Sequence, residues 1–389
     1  MRRVRIFADL ASLLQIQPRI EGKVEIRPSV GISAPVAISY VTIGLYRRET
    51  IHPHAGSVVG NHLAAPRKDI VELVGNELRL FHCGPGKSFE TVLAMDLPFL
   101  LFIPFMRNGE GEVPPASLQL PSRVAETYYE LVVSVQQGTS DLKKFSFPVP
   151  ISRYDTLSTF GMYNTPETQE RVSDHLVTLG LFLPRWSFGP NDDVNVTIKL
   201  TPNPDWLSRA RKVTVKGITV AIEEHITYNP EGDEPTTKVN TLLSKKEKVA
   251  KKLPEHGYMT TIAMTYPAKD LRDSDGFLPR QRPAFPLCAV SGFTTSAALY
   301  KINYYLIVKA TMTNCKDITV KQSIVVTPFD HSTCKNEMDA IAQAAVDAYP
   351  INMSNPMLPA QTIIRPGDHN ALHALGFTYV GKERKLLIQ

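Results

Sequence analysis

The chain has 389 residues, 43% of them hydrophobic, and a net charge of +5: enough length for two or three self-sufficient cores, too little charge for a dedicated nucleic-acid binder. Its four cysteines, Cys83, Cys288, Cys315 and Cys334, are scattered without a CxxC, which argues against a disulfide framework and for a reducing compartment. The 30 prolines suit many short strands joined by turns, because proline is excluded from ladder interiors.

In chain order, Met1-Arg2-Arg3-Val4-Arg5 reads as the approach to a first strand rather than a leader. Asp9, Gln15, Gln17 and Pro18 interrupt the apolar run that a signal peptide needs. No later segment approaches the ~20 apolar residues that span a bilayer, so a soluble protein is expected. The stretch Tyr129-Glu130-Leu131-Val132-Val133-Ser134-Val135 alternates as a half-buried antiparallel strand does, with Tyr129, Leu131, Val133 and Val135 on one face. Residues 301–309 repeat the pattern with Ile302, Tyr304, Leu306 and Val308. Turn signals at Gly84-Pro85-Gly86, Asn108-Gly109, Gly189-Pro190-Asn191-Asp192 and Asn229-Pro230-Glu231-Gly232 punctuate the runs, as in β-sandwiches.

The chain also repeats itself. Val41-Thr42-Ile43-Gly44-Leu45 is echoed by Ile218-Thr219-Val220-Ala221-Ile222, Tyr129-Glu130-Leu131 by Tyr304-Tyr305-Leu306, and Val24-Glu25-Ile26 by Val196-Thr197-Ile198. All three echoes fall about 175 residues apart in the same order, too long for a solenoid and right for a duplicated domain. The expected organisation is an all-β pair of sandwiches: residues 1–152, a linker at 153–170, residues 171–330 with a charged insertion near 230–260, and a C-terminal extension at 331–389. That extension carries one expected helix, 335–349, capped by Ser332 or Thr333 and stopped by Pro350. Its end, with Lys382, Arg384 and Lys385 before Leu386-Leu387-Ile388, is either a strand docked on a sheet edge or a frayed terminus.

Chemistry-bearing motifs are sparse. His52-Pro53-His54 with His62 has ligand-like spacing, but Pro53, Gly56 and Gly60 mark a surface loop, and no metal is expected. Gly84-Pro85-Gly86-Lys87 lacks the spacing of a phosphate-binding loop, no Gly-x-Ser-x-Gly elbow occurs, and no cofactor or catalytic residue is assigned. The pairs Tyr128-Tyr129 and Tyr304-Tyr305 read as strand residues, half core and half exposed, not as base-stacking platforms. The strongest surface signal is Lys245, Lys246, Lys248, Lys251 and Lys252 in the charged insertion. They read as a solvated loop, as a patch facing anionic lipid, or as ubiquitin acceptors or a dock for acidic and phosphorylated cargo.

Several stretches together resemble the arrestin family. Leu97-Pro98-Phe99-Leu100-Leu101-Phe102-Ile103-Pro104, Val113-Pro114-Pro115-Ala116-Ser117-Leu118 and Tyr129-Glu130-Leu131 follow the order of the arrestin N-domain, and Gly22-Lys23-Val24-Glu25-Ile26 matches its opening. In the second half, Val213 to Tyr228 is similar to a C-domain strand, and Tyr304 to Lys309 with Val320 to Phe329 to its closing hairpin. The likeness covers about 20–330 and leans toward the α-arrestins of fungal trafficking-adaptor type. It implies tandem immunoglobulin-like sandwiches without catalysis, acting in the cytoplasm and peripherally at the plasma membrane or endosomes. The implied partners are cytoplasmic tails of membrane transporters or receptors, an anionic membrane surface, and a HECT-type ubiquitin ligase recruited through Pro-Pro-x-Tyr. This sequence departs from that last feature: its one Pro-Pro, Pro114-Pro115, is followed by Ala116-Ser117. The alternative expectation is a structural subunit of a coat or retromer-like sorting complex.

Overall fold

The computed structural model describes residues 4–6, 18–27, 35–52, 68–104, 114–120, 124–140, 142–154, 156–159, 161–232, 235–268, 292–348, 357–366, 368, 377–380 and 383–386. His54, His62, Cys288, Asn108-Gly109 and the helix stop Pro350 lie outside these residues.

Six long strands fill the first half: β1 Arg19–Ile26, β2 Tyr40–Ile51, β3 Lys68–His82, β4 Ala94–Phe102, β5 Ala125–Gln136 and β6 Leu142–Pro148. Eight fill the second: β7 Glu167–Ser173, β8 Val177–Leu183, β9 Asp193–Pro202, β10 Thr214–Tyr228, β11 Thr236–Lys252, β12 Tyr258–Thr265, β13 Tyr300–Thr313 and β14 Ile318–Val326. Period-2 alternation explains most of them. In β9, Val194, Val196, Ile198 and Leu200 are buried and the residues between them are not, the signature of a strand with one face on a core.

The two halves share a plan. In the first, one sheet runs β6-β5-β2-β3, and a second pairs β1 with β4. In the second, one sheet runs β14-β13-β10-β11, and the other is β7-β8-β9-β12, so β9 pairs β12 as β1 pairs β4. The echoed segments thus occupy matching places: Val41 and Ile218 on the strands β2 and β10, Tyr129 and Tyr304 on their partners β5 and β13. Each half has its own apolar interior, Ile43, Leu45, Met95 and Leu97 in the first and Val196, Ile198, Val220 and Leu306 in the second. The second interior also takes in Ile51, Leu118 and Leu120 of the first half. Apolar packing is therefore continuous across the junction.

The extension ties onto both halves. Its helix α1, His331–Ala348, starts earlier than its sequence signals suggest, because Asp330 rather than Ser332 or Thr333 caps it. The Asp330 carboxylate accepts from the Thr333 amide at 2.8 Å and the Thr333 hydroxyl at 2.6 Å, and aspartate caps as well as serine does. Those bonds hold the Asp330 carboxyl below its usual range. The helix buries Cys334 and Ile341 against Tyr154 and Leu157 of the linker, where Tyr154 stacks on Phe329 at 4.9 Å. Farther on, Thr362–Ile364 adds antiparallel to β4, and Phe377–Val380 pairs with Glu383–Leu386 near the chain end.

Candidate functional site

The charged insertion is not a loop. Lys245, Lys246, Lys248, Lys251 and Lys252 all lie on β11, a 17-residue strand paired along its length with β10. Loop-like composition misleads here because β11 closes one edge of its sheet. One of its faces meets solvent and the other meets only the rim of the core, so apolar alternation fades. Charged side chains on an edge strand also discourage pairing with other strands.

Register divides the five lysines. Lys246, Lys248 and Lys252 stand opposite Thr219, Gly217 and Thr214 on the outer face; Lys245 and Lys251 stand opposite the buried Val220 and Val215, at the core rim. All five are exposed. Lys245 reaches across the sandwich, its Nζ donating to the Ala263 carbonyl of β12 at 2.8 Å. Beside it, Glu247 accepts from the Tyr258 hydroxyl at 3.0 Å and from Thr260. These side chains close the rim between β11 and β12 without a backbone ladder. Lys246, Lys248, Lys251 and Lys252 have no ion-pair partner among the described residues.

Of the further lysines on the outer face, two lie near this row. Lys309 of β13 lies across Thr219 from Lys246, and Lys321 of β14 lies across Ile307 from Ala221. Lys309 is partly offset by Asp317 at 3.5 Å, while Lys321 sits 3.7 Å from the centre of the Tyr305 ring. Sequence reasoning missed both, although the signal was present: with Ile302, Tyr304, Leu306 and Val308 inward, Lys309 must point outward. The acids on this face are engaged, Glu223 by His225 at 3.0 Å and Asp317 by Lys309.

The junction between the halves carries buried charge that the sequence did not announce. Glu49 of β2 is fully buried, and its carboxylate accepts from the Leu299 amide of the second half at 3.0 Å. Arg47 Nε lies 3.0 Å from Glu49, an ion pair without hydrogen-bond alignment, while the other end of the Arg47 guanidinium binds Glu72. Burial pushes the Glu49 carboxyl up, against the opposing pull of Arg47 and of the backbone donors. Thr127 and Tyr300 join hydroxyls across the same boundary at 2.7 Å, and Lys68 donates to Asn229 at 3.0 Å.

Other motifs resolve into structure. Pro114, Pro115, Ala116 and Ser117 are all buried, with Ser117 Oγ accepting from the Ile151 amide and the Pro115 carbonyl from Tyr129. A WW domain reads an exposed, extended proline helix, which this segment does not offer. Ser158 lies 2.8 Å from His331 Nδ1, yet its side chain is fully buried beneath α1; the contact fastens the helix and gives no substrate access. No group of three metal-ligating side chains occurs among the described residues. None of their helices is long and apolar enough to cross a membrane.

A comparison with curated proteins finds no match for the chain. Residues 173–330 match the family described as arrestin (or S-antigen), C-terminal domain. That span runs from the last residue of β7 to the cap of α1 and contains the lysine-edged sheet entire. Over these residues the second half of this protein is similar to an arrestin C-terminal domain, a match that supports placing the chain in the arrestin family.

Proposed function

We propose that the chain is a non-catalytic, arrestin-like adaptor that binds cytoplasmic segments of membrane transporters or receptors and directs their sorting, with residues 1–152 as the second arrestin-like domain. The observation that carries this reading is the exposed lysine row on β11, set within the span that matches an arrestin C-terminal domain, with Lys246, Lys248, Lys251 and Lys252 in no ion pair among the described residues. A sheet face on which lysines outnumber acids draws acidic protein segments by steering and by direct pairing. The same charge favours the cytoplasmic leaflet, where each lysine near an anionic surface contributes about 1 kcal/mol.

Any ubiquitin ligase would have to be recruited through another contact, because the buried Pro114-Pro115 pair is no WW ligand. Proximity labelling in cells, with the full chain as bait and mass spectrometry as readout, tests the proposal. Enrichment of plasma-membrane transporters or receptors is expected. A small fixed set of coat subunits without such cargo would replace the adaptor with a structural subunit of a sorting complex.

A further inference from the structure

Strand β11 is bonded on one side alone. Among the described residues its only ladder is with β10, and its contact with β12 runs through the side chains of Lys245 and Glu247. Among the described residues the outward row of its backbone amides and carbonyls thus joins no second ladder, over a strand of 17 residues. Such an edge is a template for one more strand.

What the edge admits is set by its charges. Lys238, Lys245, Lys246, Lys248, Lys251 and Lys252 stand along β11, against one acid, Glu247, which Tyr258 and Thr260 already hold. Lysines on an edge usually guard it against pairing. A guard of one sign is selective, however: it repels neutral and basic strands by desolvation and like charge, and it attracts a strand carrying carboxylates. Two irregularities bound the usable length. The register with β10 shifts between Leu243 and Thr241 and again between Lys248 and Lys251, where Ala250 has φ of 49°. Between these bulges, Leu243 to Lys248 form an uninterrupted run of about 20 Å at the usual strand rise.

We propose that this run of β11 is the docking edge for an extended acidic protein segment, which adds to the sheet as a further strand. Its backbone pairs with the open edge, and acids at alternate positions meet Lys246 and Lys248 on the outer face, with Lys309 behind them. Small side chains at Ser244 and Thr219 leave that face open. The inference rests on the adaptor reading and adds to it the chemistry and the conformation of the bound segment.

The test uses the intact chain and a fluorescein-labelled decapeptide alternating glutamate with threonine, read by anisotropy. Two further peptides carry N-methyl groups on alternate backbone amides, one on each edge of the strand. Binding of the parent peptide is expected, with one methylated peptide abolished and the other retained, since only one edge faces β11. The double variant K246E/K248E, its fold checked by circular dichroism, should weaken the parent peptide about tenfold.

Equal binding of both methylated peptides would show contact by charge alone and overturn strand addition, as would indifference to K246E/K248E or no binding at all. Phosphatidylserine vesicles form the remaining arm. If the double variant loses vesicles while keeping the peptide, the edge serves lipid and the proposal falls. Cargo enrichment in proximity labelling does not depend on how the segment docks, so failure here with transporters still enriched would leave the adaptor reading standing.

Discussion

At the scale of single residues, Glu49 sets the sharpest expectations. Its carboxyl is raised by burial, which Arg47 and the Leu299 and Ala298 amides only partly offset. A carboxyl with a folded pKa above its unfolded value contributes stability that is fully present below the unfolded value. That contribution is lost as pH rises through the folded one. Thermal unfolding of the wild type should therefore lose stability as pH rises above the ordinary carboxylate range, and E49Q, which keeps an acceptor for Leu299 but cannot ionise, should show a flatter profile. E49A leaves the Leu299 amide without its acceptor in a dry site and should cost about 1–3 kcal/mol by urea titration. If E49Q matches E49A in loss, charge rather than acceptance holds the contact. Gly189 makes a second residue-level case. A Cβ there would fall 1.7 Å from the Phe329 carbonyl oxygen, which is backbone and has little room to yield. G189A should cost about 3 kcal/mol and loosen the turn in which Asp192 accepts from Gly189 and His331.

At the scale of elements, what the sequence made legible depended on whether a strand had a buried face. Strands β5 and β13 announced themselves because Tyr129, Leu131 and Val133, and Ile302, Tyr304 and Leu306, recur at every second position with Glu130 and Asn303 among the residues between them. Strand β11 did not. Its lysines stand at the rim and on the open face, so the period-2 signal that marks a strand is missing where one face is solvent and the other only half covered. The helix α1 was visible from its composition, but its start was not, since Ser332 and Thr333 are capping residue types close to Asp330 and only geometry selects Asp330. Docking of that helix supplies the element-level prediction. Cys334 is fully buried on its inner face, and burial raises its thiol, so it reacts only when α1 lifts from Tyr154 and Leu157. I341D places a carboxylate in that apolar contact. Alkylation at Cys334, followed by peptide mass mapping, should be slow in the wild type and accelerate at least tenfold in I341D, by the arithmetic of a docking equilibrium weakened by 1.4 kcal/mol or more. An unchanged rate would mean that Ile341 does not hold the helix down.

At the scale of the whole molecule, the duplication explains a feature that neither half explains alone. Arg47 faces Tyr129 across β2 and β5, and Glu224 faces Tyr304 across β10 and β13; the two pairs occupy equivalent registers and all four residues are buried. In the second half the Tyr304 hydroxyl donates to Glu224 at 2.7 Å. In the first, Arg47 sits beside Glu49, and that acid is the one that crosses to Leu299. The position that merely fills one sandwich thus helps to join the other to its neighbour. Ile51, Leu118 and Leu120 extend the second apolar interior across the same boundary, so separating the halves would expose apolar surface and strand buried polar groups together. The two halves should then unfold as one unit. Both tryptophans, Trp186 and Trp206, lie in the second half, so their fluorescence reports that half alone, while circular dichroism reports both. Coincident urea transitions by the two probes are expected. For E49A the expectation is a parting of the curves, because the polar tie is gone while each half keeps its own interior. Transitions already separate in the wild type would show that the junction is too weak to couple the halves, and Glu49 would then be a local core residue rather than a tie between them.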